Sequence, residues 1–87
     1  MKSTQGGSDM AAKKSLREIL ATNMRLRRSK LNISQEEFAD LCKLHRTYIS
    51  DVERCNRNIS IDNIQRIAEA FNIPASKLLE EDLDENS

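Results

Sequence analysis

Residues 34–54 read Ser34-Gln35-Glu36-Glu37-Phe38-Ala39-Asp40-Leu41-Cys42-Lys43-Leu44-His45-Arg46-Thr47-Tyr48-Ile49-Ser50-Asp51-Val52-Glu53-Arg54. Ser34 stands three residues before Glu37, the spacing of a capping box. Ile33 and Phe38 flank that cap as a hydrophobic staple, so a helix starts here. Phe38, Ala39, Leu41 and Cys42 are expected on its inner face. The connection Lys43-Leu44-His45 is too short for anything but a tight turn. Leu44 and Ile49 staple the next helix, with Ile49 and Val52 inward and Arg46, Thr47, Ser50, Asp51 and Arg54 outward.

The same signals recur on both sides. Ser15 and Glu18 form a second capping box. Leu16, Ile19, Leu20 and Met24 then repeat at helical spacing, and this first helix is expected to fade near Ser29. Downstream, Ser60 caps a helix whose apolar stripe is Ile61, Ile64, Ile67, Ala68 and Phe71. Asn72 stops it, and Pro74 opens a short last helix through Leu79. No alternating pattern suggests a strand. The expected fold is all-α, five helices in one compact domain over residues 15–80. Residues 1–14 are polar and aperiodic, the composition of a disordered arm, and residues 81–87 read as an acidic tail.

Composition excludes several classes. Aromatics are 3% of the 87 residues, with Gly twice and Pro once, which disfavours a β-rich fold. No apolar run approaches the ~18 residues that cross a bilayer, and no secretory signal is expected. Cys42 and Cys55 stand apart with a single His in the chain, so neither a disulfide framework nor a metal site is expected. Cys42 reads as a core residue, and both thiols suit a reduced, cytoplasmic setting. With no paired nucleophile and base, an enzyme is not expected, and nothing calls for a cofactor.

Formal net charge is zero, but its distribution is not even. Residues 1–30 carry eight Lys/Arg against two acids, residues 31–57 four against five, and residues 58–87 two against seven. Such polarity can orient a protein on an anionic polymer. Two helices of about nine residues joined by three or four have the dimensions of a helix-turn-helix, whose second helix enters the major groove of double-stranded DNA.

The stretch Ser34-Gln35-Glu36-Glu37-Phe38-Ala39 resembles the start of that motif in the lambda-repressor/Cro-like (XRE) family. The stretch Arg46-Thr47-Tyr48-Ile49-Ser50-Asp51-Val52-Glu53-Arg54, with Arg57-Asn58-Ile59-Ser60, is similar to the controller proteins of restriction–modification systems. The resemblance covers roughly residues 15–80. It implies a lambda-repressor-like fold and a dimeric, cytoplasmic, nucleoid-associated transcription regulator. Two positions depart from the family. Lys43 stands where Gly is frequent, implying a turn that avoids or strains to reach positive φ. His45 stands where Ser, Thr or Asp is frequent, which weakens the N-cap.

The residues then divide by chemistry. Gln35 is either a phosphate contact, as the resemblance implies, or an ordinary exposed helix residue. Arg46 suits guanine O6 and N7 or else a phosphate, and Thr47 offers thymine a hydroxyl and a methyl. Ser50 shares their face. Asp51 either accepts from cytosine N4 or orients Arg46 or Arg54. Tyr48 packs or reaches the DNA backbone, and His45 is a phosphate contact or only a poor cap. Arg54 and Arg57 are placed to grip the sugar–phosphate backbone, and the resemblance raises Arg57 to a base contact.

Other roles follow from the resemblance or from surplus apolar surface. The resemblance implies that Arg28 pairs with Glu53, tying the recognition helix to its platform. Phe71, Ile73, Leu78 and Leu79 exceed what a short last helix needs, and are expected to form a homodimer that reads a palindromic operator. Glu36 and Asp40 share a helix face. They are solvated acids, or the resemblance makes them a surface for the RNA polymerase sigma subunit. The alternatives to a controller are a phage or chromosomal XRE-type repressor, or a protein-interaction module that has lost DNA binding.

Overall fold

A computed structural model describes residues 14–81, so the expected arm at 1–14 and tail at 81–87 lie almost wholly outside the described residues. Five helices succeed one another among them: α1 (Leu16–Leu31), α2 (Gln35–Cys42), α3 (Arg46–Glu53), α4 (Ile61–Phe71) and α5 (Ala75–Leu78). Both capping boxes form. Ser15 Oγ accepts from the Glu18 amide at 3.2 Å while Glu18 Oε1 accepts from the Ser15 amide at 2.9 Å. Ser34 and Glu37 repeat this at 3.0 and 2.8 Å. The Ser60 hydroxyl accepts from the Asn63 amide at 3.1 Å.

The ends of α1, α2 and α4 follow one device, a left-handed cap. Asn32, Lys43, Cys55 and Asn72 all adopt positive φ near 60°. After α1, α2 and α4 the following amide reaches back across the last turn, as Leu44 does to the Ala39 carbonyl at 3.0 Å. Glycine takes this conformation without steric cost and asparagine at little cost. The chain's two glycines lie at positions 6 and 7, so other residues must serve. The α1 stop is Asn32, and the helix therefore runs to Leu31 rather than fading near Ser29.

The core gathers Leu20, Met24, Phe38, Ala39, Cys42, Ile49, Val52, Ile67, Ala68 and Leu78. Phe38 stacks on Phe71 with ring centroids 4.3 Å apart. Burial pushes the Cys42 thiol up to about 12, so it remains a neutral, packed group. Three expected core residues are instead exposed: Leu16, Leu41 and Ile61, the last at 79%. Leu41 lies roughly 100° around α2 from the centre of its Phe38–Ala39–Cys42 face. Leu16 and Ile61 each open a helix, where the first turn stands clear of the elements covering the later ones.

Leu78 requires a correction. It was expected at a dimer surface, yet it is fully buried in the chain's own core. Helix α5 packs against both α4 and α1. Buried Asn23 of α1 fixes it by donating from Nδ2 to the Leu78 carbonyl at 2.7 Å and the Glu80 carbonyl at 2.9 Å. Phe71, Ile73 and Leu79 are half-buried against the same core and retain outward surface.

Candidate nucleic-acid interface

The turn between α2 and α3 is built by Lys43, at φ 60° and ψ 41°. A left-handed conformation costs an L-residue with a Cβ about 1–2 kcal/mol. Cys55, after α3, is left-handed too. The two non-asparagine residues in this conformation thus bracket α3. Neither turn was readable as left-handed from residue type.

Helix α3 is anchored at its end and bare at its start. Glu53, buried at the last position of α3, accepts from Arg28 at both carboxylate oxygens: Nε to Oε2 at 2.8 Å and Nη2 to Oε1 at 2.9 Å. This bidentate geometry is the strong form of an ion pair. Gln35 Nε2 donates to the same Oε1 at 3.0 Å, and Arg25 Nη1 donates to the Glu53 backbone carbonyl at 2.5 Å. Arg28 closes the set by donating from Nη1 to the Ile33 carbonyl at 3.0 Å. The Glu53 hydrogen bond raises the Arg28 pKa above its ordinary value, against the opposing effect of burial. One buried carboxylate thereby joins α1, α2 and α3.

At the other end, His45 is the N-cap residue and makes no side-chain capping bond. Arg46 and Thr47 follow, both exposed. Together with His45, Glu36, Asp40, Ala39 and Leu44 they line a shallow groove between α2 and α3. Tyr48, Ser50 and Asp51 are half-buried, so Ser50 and Asp51 are less outward than expected. Asp51 does not touch Arg46. Its Oδ1 accepts from Arg54 Nη2 at 3.3 Å and its Oδ2 from Arg57 Nη2 at 3.2 Å. The Arg57 guanidinium lies over the Tyr48 ring, 4.8 Å from its centroid. The expected contacts therefore form two groups: Arg46 and Thr47 at the start of α3, and Tyr48 and Asp51 of α3 with Arg54 and Arg57 of the segment that follows it. Gln35 is half-buried and turned to Glu53, not simply exposed.

Sequence reasoning missed two residues here. Arg25 lies three positions before Arg28 on one face of α1, and that spacing was the available signal. Arg17 hydrogen-bonds Asn58 through its side chain, and its carbonyl accepts from Cys55 Sγ at 3.7 Å, tying the segment after α3 to the start of α1. No periodicity marks that contact. Among the described residues, no group of three or more His, Cys, Asp or Glu is placed to hold a metal ion. No helix among them is long and apolar enough to cross a membrane.

A helix-turn-helix family profile matches residues 24–78. The chain is 53% identical over 55 residues to control protein C.BamHI of Bacillus amyloliquefaciens, covering 63% of this chain and 68% of that protein. It superposes on the crystal structure of the hypothetical transcription factor NHTF from Neisseria with a TM-score of 0.78 and 44% identity, covering 83% of each chain. The restriction–modification controller C.Esp1396I, solved as a tetramer in complex with its natural 35 base-pair operator, matches with a TM-score of 0.68 and 26% identity. That match covers 76% of this chain and 87% of the controller.

Proposed function

Because the chain belongs to the helix-turn-helix family of the lambda-repressor/Cro-like (XRE) type, we propose that this DNA-binding regulator reads a palindromic operator as a homodimer and controls a restriction–modification system, including its own gene. The observation that carries the reading is the asymmetry of α3. Its end is locked by Glu53 to two other helices, while its start presents exposed Arg46 and Thr47. A rigid helix with bare polar side chains at its N-terminal half is what major-groove readout requires. Relatives named as control proteins support the assignment to restriction–modification.

Within this reading Arg46 and Thr47 contact base edges, with Ser50 beside them. Gln35 and His45 approach phosphates at helix starts, and Arg54 and Arg57 grip the backbone near Tyr48. Phe71, Ile73 and Leu79 supply the two-fold contact, placing two α3 helices about 34 Å apart. Arg46→Ala is expected to lower operator affinity by about 1–3 kcal/mol and relax preference at one base pair, whereas a lost phosphate contact weakens all duplexes alike. Titration of single-base operator variants distinguishes these. Unchanged affinity and preference would remove Arg46 from base readout.

Glu36 and Asp40 are exposed on α2, and neither forms an ion pair among the described residues. Their outward charges beside the DNA-facing groove fit a contact with the RNA polymerase sigma subunit. Neutralising both is expected to preserve operator binding and abolish activation at a promoter adjoining the operator. Transcription in vitro checks this, and full activation by the double variant would place the activating surface elsewhere.

A further inference from the structure

We propose that Asp51 is a positioning residue that converts Arg54 and Arg57 from two independent cations into one ordered, partly neutralised pair, and so sets how strongly the protein prefers its operator over other DNA. The inference rests on the reading of α3 as the DNA-recognition helix. Both Asp51 oxygens are engaged, one by each arginine. The carboxylate is drawn to the arginines and is the least exposed of the three side chains, so it acts through them.

The backbone puts these groups together. Asp51 lies one turn before Arg54, and its carbonyl accepts from the Arg54 amide at 3.2 Å and the Asn56 amide at 2.8 Å. Cys55, at positive φ, then turns the chain, and Arg17 holds the segment at Cys55 and again at Asn58. Arg57 consequently returns over Tyr48 with one nitrogen on Asp51. Its other nitrogens make no hydrogen bond among the described residues, which leaves them available to a phosphate or base while ring and carboxylate order the guanidinium plane. The Asp51 side chain is 22% exposed, less than Arg54 at 64% or Arg57 at 44%. The acid is thus the seated member and the arginines the arms.

Two physical effects follow. Binding to arbitrary duplex is electrostatic and grows with the number of cations free to neutralise phosphates. A carboxylate between two arginines removes about one such charge, weakening non-specific binding. Ordering Arg57 beforehand reduces the side-chain entropy lost when it docks in one pose, which favours the site complementary to that pose. Both effects raise the ratio of specific to non-specific affinity, the quantity that matters when competing sites are abundant.

Asp51→Asn keeps the size of the side chain and removes its charge. The probes are the duplex that the wild-type protein selects from a random library and a scrambled duplex of the same composition, each titrated across salt concentrations. The expected result for the variant is tighter binding to the scrambled duplex, a salt slope steeper by about one, and a selected-to-scrambled ratio reduced about tenfold. In the DNA-free protein, ring-current shifts of the Arg57 side-chain resonances from Tyr48 should also shrink. A wild-type protein without any selected duplex would overturn the DNA-recognition reading and the Asp51 role with it. A wild-type protein that discriminates, beside an Asp51→Asn variant with unchanged ratio and salt slope, would overturn the Asp51 role alone.

Discussion

Arg28→Ala is expected to destabilise the fold by about 3–5 kcal/mol, because it strands a buried carboxylate without its ionic partner. The Glu53 side chain is 2% exposed and the Arg28 side chain 18%. The effect should therefore be asymmetric: Glu53→Ala leaves a guanidinium that still reaches water, and should cost less. Against a total stability of about 5–15 kcal/mol for a small domain, the larger loss would consume much of the margin. Replacing both residues with apolar ones of similar volume should recover most of it. Urea denaturation of the two single variants and the double variant measures the coupling. A coupling energy indistinguishable from zero would reduce the Glu53 cluster to incidental contact. Since the same carboxylate holds Gln35 of α2, its loss should also loosen α3 against α2 and weaken operator binding.

Leu78→Asp is expected to unfold the chain, whereas Leu79→Asp should leave it folded and separate the proposed dimer. Position 78 has no exposed surface. Truncating a buried leucine costs about 2–5 kcal/mol, and an unpaired buried carboxylate adds a further penalty of several kcal/mol. Leu79, adjacent in sequence, ends the four-residue α5 and is half-buried with an outward part. Thermal melts by circular dichroism report the fold, and sedimentation reports the dimer. A folded Leu78→Asp protein would remove α5 from the core. A dimeric Leu79→Asp protein would move the two-fold contact away from α5.

These expectations show where the sequence was informative. The starts of α1, α2 and α4 were legible because Ser-x-x-Glu boxes and capping serines are local chemistry, complete within four residues. The apolar faces of α2 and α4 were legible in outline, since period sets direction, although Leu41 and Ile61 show that period alone does not say which flanking or terminal residues find a neighbour. Helix α5 is a single turn, too short for any periodicity. Whether Leu78 or Leu79 faced inward was decided by the docking of α5 on α1, with Asn23 holding its carbonyls. The Lys43 turn was left open between avoiding positive φ and straining to reach it, and the Cys55 turn was hidden, because left-handed conformation is signalled by glycine or asparagine and neither stands there. The contacts of Asp51 span a turn of helix and a chain reversal. Arg54 was readable as one of its alternative partners, but the half-burial of Asp51 was not, and its pairing with Arg57 depended on that reversal.

Selection from a random double-stranded library with the wild-type protein at physiological salt shows whether two copies of α3 read duplex DNA in a sequence-dependent way. The expected result is enrichment of an imperfect palindrome whose half-sites are centred about one helical turn, or a multiple of it, apart. Uniform binding to all duplexes, or no enrichment after repeated rounds, would contradict sequence-dependent reading by α3.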